Sequence, residues 1–171
     1  MPNPIATVAQ SRTESSELIL QSDLNSLGHL FGGRLVSIID KVAAITAMKH
    51  ASATGGVVTL SIDNLVFRKP VRAGAILTVK ASVNRVFKHS LETGVVVDSL
   101  PPGSRIAERV CTAYLTFVAL DVAGKPVEIP PVLPETPEEK RRFEQAGIRR
   151  EHRLALQSQL GKRRPEPVEG R

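Results

Sequence analysis

The stretch SDLNSLGHLFGGRLVSIIDKVAAITAMKHA, residues 22–51, decides how the whole chain folds. Its first part, Ser22 to Gly33, is rich in turn formers and holds Gly28, Gly32 and Gly33, so it reads as an irregular loop. From Arg34 to about Ala51 the residues Leu35, Ile38, Ile39, Val42, Ile45 and Met48 recur at spacings of three and four, which is the period of a helix. Alanines fill much of the remainder. An apolar stripe this wide, with so few charges beside it, marks a largely buried helix.

Downstream the period changes. Val57 to Phe67, Ala75 to Phe87, Ser90 to Ser99 and Arg105 to Leu120 are rich in Val, Ile, Thr and Leu, and several alternate, as in Leu77-Val79-Ala81-Val83. Short turns separate them: Lys69-Pro70 to Gly74, Lys88-His89, and Pro101-Pro102-Gly103. Consecutive strands joined by short turns form an antiparallel sheet. Upstream, Glu17 to Gln21 is a further short strand candidate. One buried helix before four long strands is an α+β layout in which a curved sheet wraps a central helix. One helix leaves the other face or the edges of that sheet uncovered, so a dimer is expected.

The flanks divide cleanly. Residues 1–16 are polar and unpatterned and read as a flexible arm. The domain proper spans 17–133 and closes at Pro130-Pro131 and Pro134. Residues 134–160 read as a charged surface helix, with Thr136 as N-cap, Pro137 at the first helical position, and Glu138 and Glu139 in the first turn. Residues 161–171 read as a disordered tail.

Composition narrows the function classes. The 171 residues are 42% hydrophobic and 23% charged, enough apolar material for one real core. Apolar runs are too short for a transmembrane helix, and Met1 to Gln10 lacks the apolar h-region of a secretory signal, so a cytoplasmic protein away from membranes is expected. Cys111 is the only cysteine, which excludes a disulfide framework and multi-cysteine metal sites; it sits in an alternating strand as core filler. The four histidines show no metal-ligand spacing. No tryptophan and one tyrosine argue against a base-stacking platform. The net charge of +6 falls half in residues 134–171 and half in the body. Within the body, Asn64 to Leu91 carries Arg68, Lys69, Arg72, Lys80, Arg85 and Lys88 with no acid at all. Such a run is either a solvated face or a footprint for a phosphorylated ligand.

Asp40 is the most informative residue for chemistry. It lies mid-helix between Ile39 and Val42, where an ionised carboxylate is costly unless it has a partner or a task. Seven residues after Gly33 it returns to nearly the same azimuth, since seven steps of about 100° are close to two turns. Gly32 and Gly33 open the helix, where free backbone N–H groups and the positive end of the dipole can polarise a carbonyl oxygen. Asn25 in the loop is a turn residue that could also orient a water or a carbonyl. Ser37 has no histidine base and no nucleophile elbow.

The segments SDLNSLGHLFGGRLVSIIDKVAAITAMKHA, VVTLSIDNLVFRKPVRAG, HSLETGVVV, TAYLTFVALDVAGKP and LPETPEEKRRFE together resemble the hotdog-fold acyl-CoA thioesterases, in particular the cytosolic acyl-CoA hydrolases and their short bacterial homologues. The resemblance covers roughly Glu17 to Ile148. It implies a hotdog fold, protomers paired through a continuous sheet, assembly as a trimer of dimers, and hydrolysis of acyl-CoA to a free acid and CoA. It implies Asp40 as the functional aspartate and Asn25 as its partner from the other protomer, with the Gly33 helix N-terminus holding the thioester carbonyl. It places Thr59 and Ser90 near the pantetheine channel, while Arg68, Lys88 and His89 suit the CoA phosphates. No cofactor is implied beyond the CoA of the substrate. His29 departs from the pattern, because the family often carries Asn or Asp there.

Three rival readings remain at this point. A non-catalytic acyl-CoA-binding regulator would share the fold, and Asp40 with Asn25 argues against it. A nucleic-acid binder would explain the charge, but no recognition motif supports it. A hotdog hydratase would want a catalytic histidine near the helix, where His29 is the one candidate.

Overall fold

The computed structural model describes residues 6–52 and 55–161. Its central sheet has five antiparallel strands: β2 (Thr13–Leu18), β3 (Gly56–Phe67), β4 (Ile76–Phe87), β5 (Ser90–Leu100) and β6 (Glu108–Leu120), in the order β2-β4-β5-β6-β3. Alternation sends Leu77, Val79, Ala81 and Val83 of β4, Leu91, Val95 and Val97 of β5, and Cys111, Ala113, Leu115 and Phe117 of β6 into the core. There they meet the helix α2 (Gly32–His50), which buries Leu35, Ile38, Ile39, Val42, Ala43 and Ala47. Each large apolar side chain so buried contributes about 1.5–3 kcal/mol. This is the α+β hotdog arrangement, one helix wrapped by one sheet.

Two expectations about α2 need correction. The helix starts at Gly32, because Phe31 accepts the first backbone bond, from the Leu35 N–H, and so draws both glycines into the first turn. It is also less buried than its apolar stripe suggests. Ser37, Lys41, Ile45 and Met48 face outward, beside the edge strand β3 with its exposed Val58 and Leu60.

The N-terminal segment is not a flexible arm where it is described. Ala6–Thr7 forms β1, which pairs in parallel with β7 (Val132–Leu133), and Val8–Ser11 forms the short helix α1 with Val8 and Ser11 buried. β2 then occupies the sheet edge from Thr13, four residues before the strand read from Glu17. Polar side chains at 13–17 gave no apolar alternation because the strand borders solvent. The segment 161–171 lies outside the described residues except for Gly161, which ends a helix.

That helix, α3 (Pro137–Gly161), crosses the outer face of the sheet. Thr136 caps it as expected: its hydroxyl accepts the Glu139 N–H at 3.2 Å, and the Glu139 carboxylate accepts the Thr136 N–H at 3.1 Å. Arginines seat it. Arg149 donates two hydrogen bonds to Glu92 of β5, at 3.0 and 2.7 Å, and lies over the Tyr114 ring at 3.6 Å. Arg153 reaches Ser61 and Asp63 of β3 and Thr116 of β6. Glu92 is 2% exposed, so this is a buried ion pair.

Candidate active site

The loop before α2 is pinned to the helix it introduces. Arg34 in the first turn donates to Asp23 at 3.0 Å and to Glu17, and the Phe31 N–H donates to the Asp23 carbonyl. A backbone hydrogen bond from Leu20, aided by Arg34, holds the Asp23 carboxyl below its ordinary range. Arg34 is thereby turned away from the helix N-terminus, where no side chain among the described residues provides a cap. The backbone N–H groups of Gly32 and Gly33 form an open, partly positive end. A Cβ at position 33 would sit 2.6 Å from the exposed Phe31 ring, so a larger residue there displaces that ring from the helix entrance.

Asn25 shapes this loop. Its side-chain oxygen accepts the N–H groups of Leu27 and His29, at 2.9 and 3.2 Å, and its own N–H donates to the His29 carbonyl. Among the described residues its amide nitrogen has no partner, so two N–H donors are left over. Asn25 and Gly32 line a cleft of about 340 Å³ together with Leu30, Phe67, Arg68 and Lys69. Arg68 carries no ion pair among the described residues, whereas Lys69 is held by Glu108 at 2.8 Å.

Asp40 lies elsewhere. It is half-buried on the open side of α2, about 10 Å of helix beyond Gly33 at 1.5 Å per residue. Thr59 of β3 donates its hydroxyl proton to the Asp40 carboxylate at 2.9 Å. This contact fixes the carboxylate against the edge strand. The sequence did not reveal it, because nothing local ties a helix residue to one 19 positions downstream. A single chain thus carries two half-sites: a cleft with an amide, helix N–H groups and an arginine but no acid, and a carboxylate with its hydroxyl partner but no cleft.

The basic window does not form one footprint within a chain. Lys88, His89 and Ser90 turn between β4 and β5 at the end of the sheet where Ala119 and Val57 pair, since the Ala119 N–H donates to the His89 carbonyl. Arg68 follows Phe67, opposite Cys111. From Cys111 to Ala119 is roughly 27 Å at about 3.3 Å per residue. The window is also not free of acids in space, because Lys80 faces Glu14 and Lys88 faces Glu128. Arg85 is spent on the Phe87 and Phe143 rings.

Residues 27–106 match the model of the thioesterase superfamily. A Bacillus subtilis protein named as an uncharacterized acyl-CoA thioester hydrolase, YkhA, is 36% identical over 91% of this chain and 94% of its own length. The chain belongs to this family. Among solved structures, the Staphylococcus aureus acyl-CoA hydrolase in complex with butyryl-CoA, CoA and CoA disulfide superposes with a TM-score of 0.85 at 36% identity, covering 93% of this chain and 96% of that one. A hexameric acyl-CoA thioesterase superposes at 0.84 with 39% identity, covering 88% and 95%. The chain spans only 24% of the mouse acyl-CoA thioesterase 11 and 36% of the rat cytosolic hydrolase that it also matches. For a thioesterase-family fold, the two half-sites on one surface are the notable feature.

Proposed function

We propose that this protein hydrolyses the thioester of acyl-CoA, with each active site assembled from two copies of the chain. The observation that carries the reading is the separation of the half-sites combined with the open edge of β3. Val58, Leu60 and Ile62 are exposed along a strand that is last in the sheet order of the described residues, an arrangement that invites another strand. Antiparallel pairing of two β3 strands about a two-fold axis would extend the sheet to ten strands. It would set Thr59 and Asp40 of one copy beside Phe67, Gly32 and Asn25 of the other. The same rotation brings Arg68 of one copy to the sheet end that carries Lys88, His89 and Ser90 of the other.

In this site the N–H groups of Gly32 and Gly33 receive the thioester oxygen as negative charge develops on it. Asp40 takes a proton from a water that attacks the carbonyl carbon, with Asn25 placing the water and Thr59 holding the carboxylate. The C–S bond breaks, the thiolate leaves as CoA, and the acid is released. Arg68 with Lys88 and His89 holds the phosphates of CoA. Three dimers make a hexamer. Support comes from the relatives: variants of the Staphylococcus aureus hydrolase replace an aspartate, an asparagine and a threonine, and the first two stand at the same spacing as Asn25 and Asp40 here.

The test is complementation. Asp40→Asn and Asn25→Ala homo-oligomers should each lose at least a hundredfold in kcat with little change in CoA affinity. Mixed after mild dissociation, they should recover up to a quarter of wild-type activity, because hybrid dimers hold one intact site. Full activity in Asp40→Asn sinks the assignment, and failure to recover in hybrids sinks the shared site. Single-turnover hydrolysis in ¹⁸O-labelled water identifies the route, since label appears in the enzyme only if Asp40 itself attacks the carbonyl.

A further inference from the structure

We infer that Phe31 selects the acyl group of the substrate: its ring stands where the carbon next to the thioester carbonyl passes, so straight chains enter and chains branched at that carbon are rejected. The inference rests on the acyl-CoA hydrolysis proposed above and names a residue that decides which thioesters reach the site. Two of the chain's five phenylalanines stand at the start of α2, and neither is buried. Phe31 is 57% exposed and Phe67 is 50% exposed, whereas Phe117 in the core is 1% exposed. Half-open rings beside free backbone N–H groups suit a ligand that is apolar around a single oxygen.

Each ring stands over one of the two glycines. The edge of the Phe67 ring lies 3.6 Å from the place a Cβ of Gly32 would take, an ordinary contact distance. The Phe31 ring comes closer, 2.6 Å from the Cβ position of Gly33, so it fills the space of the missing side chain. Consecutive residues stand about 100° apart around a helix. The rings therefore border the N–H groups on two adjacent sides. Phe67 stands on the side of the cleft, and Phe31 on the side that Gly33 shares with Asp40. An oxygen bound beside both rings meets N–H donors in apolar surroundings, where such a bond is stronger than in water.

The cations decide which arm of the substrate passes which ring. Arg68 and Lys69 follow Phe67 directly and line the cleft with it, so the phosphate end of CoA leaves past Phe67. A thioester carbonyl carbon is trigonal, and its sulfur and its acyl carbon diverge from the oxygen on different sides. With sulfur on the Phe67 side, the first carbon of the acyl chain comes against Phe31. A methylene there lies along the ring. A second carbon on the same atom needs space that the ring already holds, and the ring is backed by the helix at Gly33 and cannot give way toward it.

The experiment measures kcat/KM for butyryl-CoA and isobutyryl-CoA, which differ only in branching. Wild type should prefer the straight chain at least tenfold, and Phe31→Ala should bring the two within about threefold of each other. Phe31→Tyr keeps the ring and should keep the wild-type ratio. The backbone carbonyl of residue 31 starts α2 whatever side chain it bears, so these variants retain the helix start. Phe67→Ala should raise KM for both substrates alike and leave their ratio in place. A wild type that hydrolyses both equally, or a ratio that survives in Phe31→Ala, overturns the selection by Phe31 while the proposed hydrolysis stands. A ratio that collapses in Phe67→Ala and not in Phe31→Ala also overturns it, because the acyl chain would then pass the other ring. A wild type that hydrolyses neither thioester overturns both readings.

Discussion

Helices α2 and α3 lie on opposite faces of one sheet and are held there by opposite chemistry. α2 is bound by apolar burial: Ile39, Ala43 and Ala47 are fully buried against the inner faces of β4, β5 and β6. α3 is bound by guanidinium groups: Arg149 on Glu92, Arg153 on Asp63, and Arg85 of the sheet reaching back to the Phe143 ring. Apolar contact is non-directional and forgives small shifts, whereas a buried ion pair fixes position at the cost of desolvating two charges. The inner helix supplies stability and carries Asp40 on its open side. The outer helix supplies register.

The largest expected effect breaks the outer helix. Glu92→Ala leaves Arg149 unpaired under α3 and should cost about 3–5 kcal/mol in urea unfolding. Replacing both partners with leucine should recover most of that loss, though Asn84 still loses its acceptor, the Glu92 carboxylate at 2.8 Å. A double variant as unstable as the single one would mean that the pair is worth more than its burial costs, contrary to the comparison drawn here. On the inner helix, Ile39→Ala should cost about 3 kcal/mol by leaving a cavity, with no partner substitution able to restore it as the leucine pair does on α3.

The smallest effect comes from the C-terminus of α2 and depends on pH. His50 is buried, its Nε2 hydrogen-bonded to the Pro130 carbonyl at 2.9 Å, while its Nδ1 has no partner among the described residues. Burial pushes its pKa below the ordinary 6.5, and the bond to Pro130 opposes this only in part. The neutral ring is thus the folded form. Its contribution is intact above pH 6.5 and is lost as pH falls below that value, by up to about 1.4 kcal/mol per pH unit until the folded-state pKa is reached. Between pH 7.0 and 5.5 the stability measured by urea unfolding should fall further in wild type than in His50→Gln. Equal differences would show that His50 does not titrate on unfolding.

The same contrast explains what could be read from the sequence. α2 and the four long strands were legible because their cause is local periodicity. So were Asp40, an acid out of place in an apolar stripe, and the glycine pair before it. The partners of α3 were not, because Glu92, Asp63 and Thr116 look like ordinary polar residues until the sheet stacks them beneath arginines some 40 to 90 positions away in the chain. Thr59, which the family resemblance sets near the pantetheine channel, is tied to Asp40 only by the geometry. The run from Asn64 to Leu91 is acid-free in sequence but not in space, since Glu14, Glu108 and Glu128 reach its lysines from other elements.

The register shift between Thr59 and Ser61 has a consequence for how this chain can change. Leu60 is an extra residue opposite the Phe117–Thr116 step of β6, so Thr59 points in to Asp40 while Ser61 points out to Arg153. Without it, residues two apart would face the same way. Deleting Leu60 would make Thr59 and Ser61 neighbours on opposite faces of a regular strand, matching Phe117 and Thr116 one to one, so the bulge would go and both contacts would stay. β3 can therefore lose this one residue, whereas the loss of Ile62 would turn either Ser61 or Asp63 away from Arg153, which both now meet on one face.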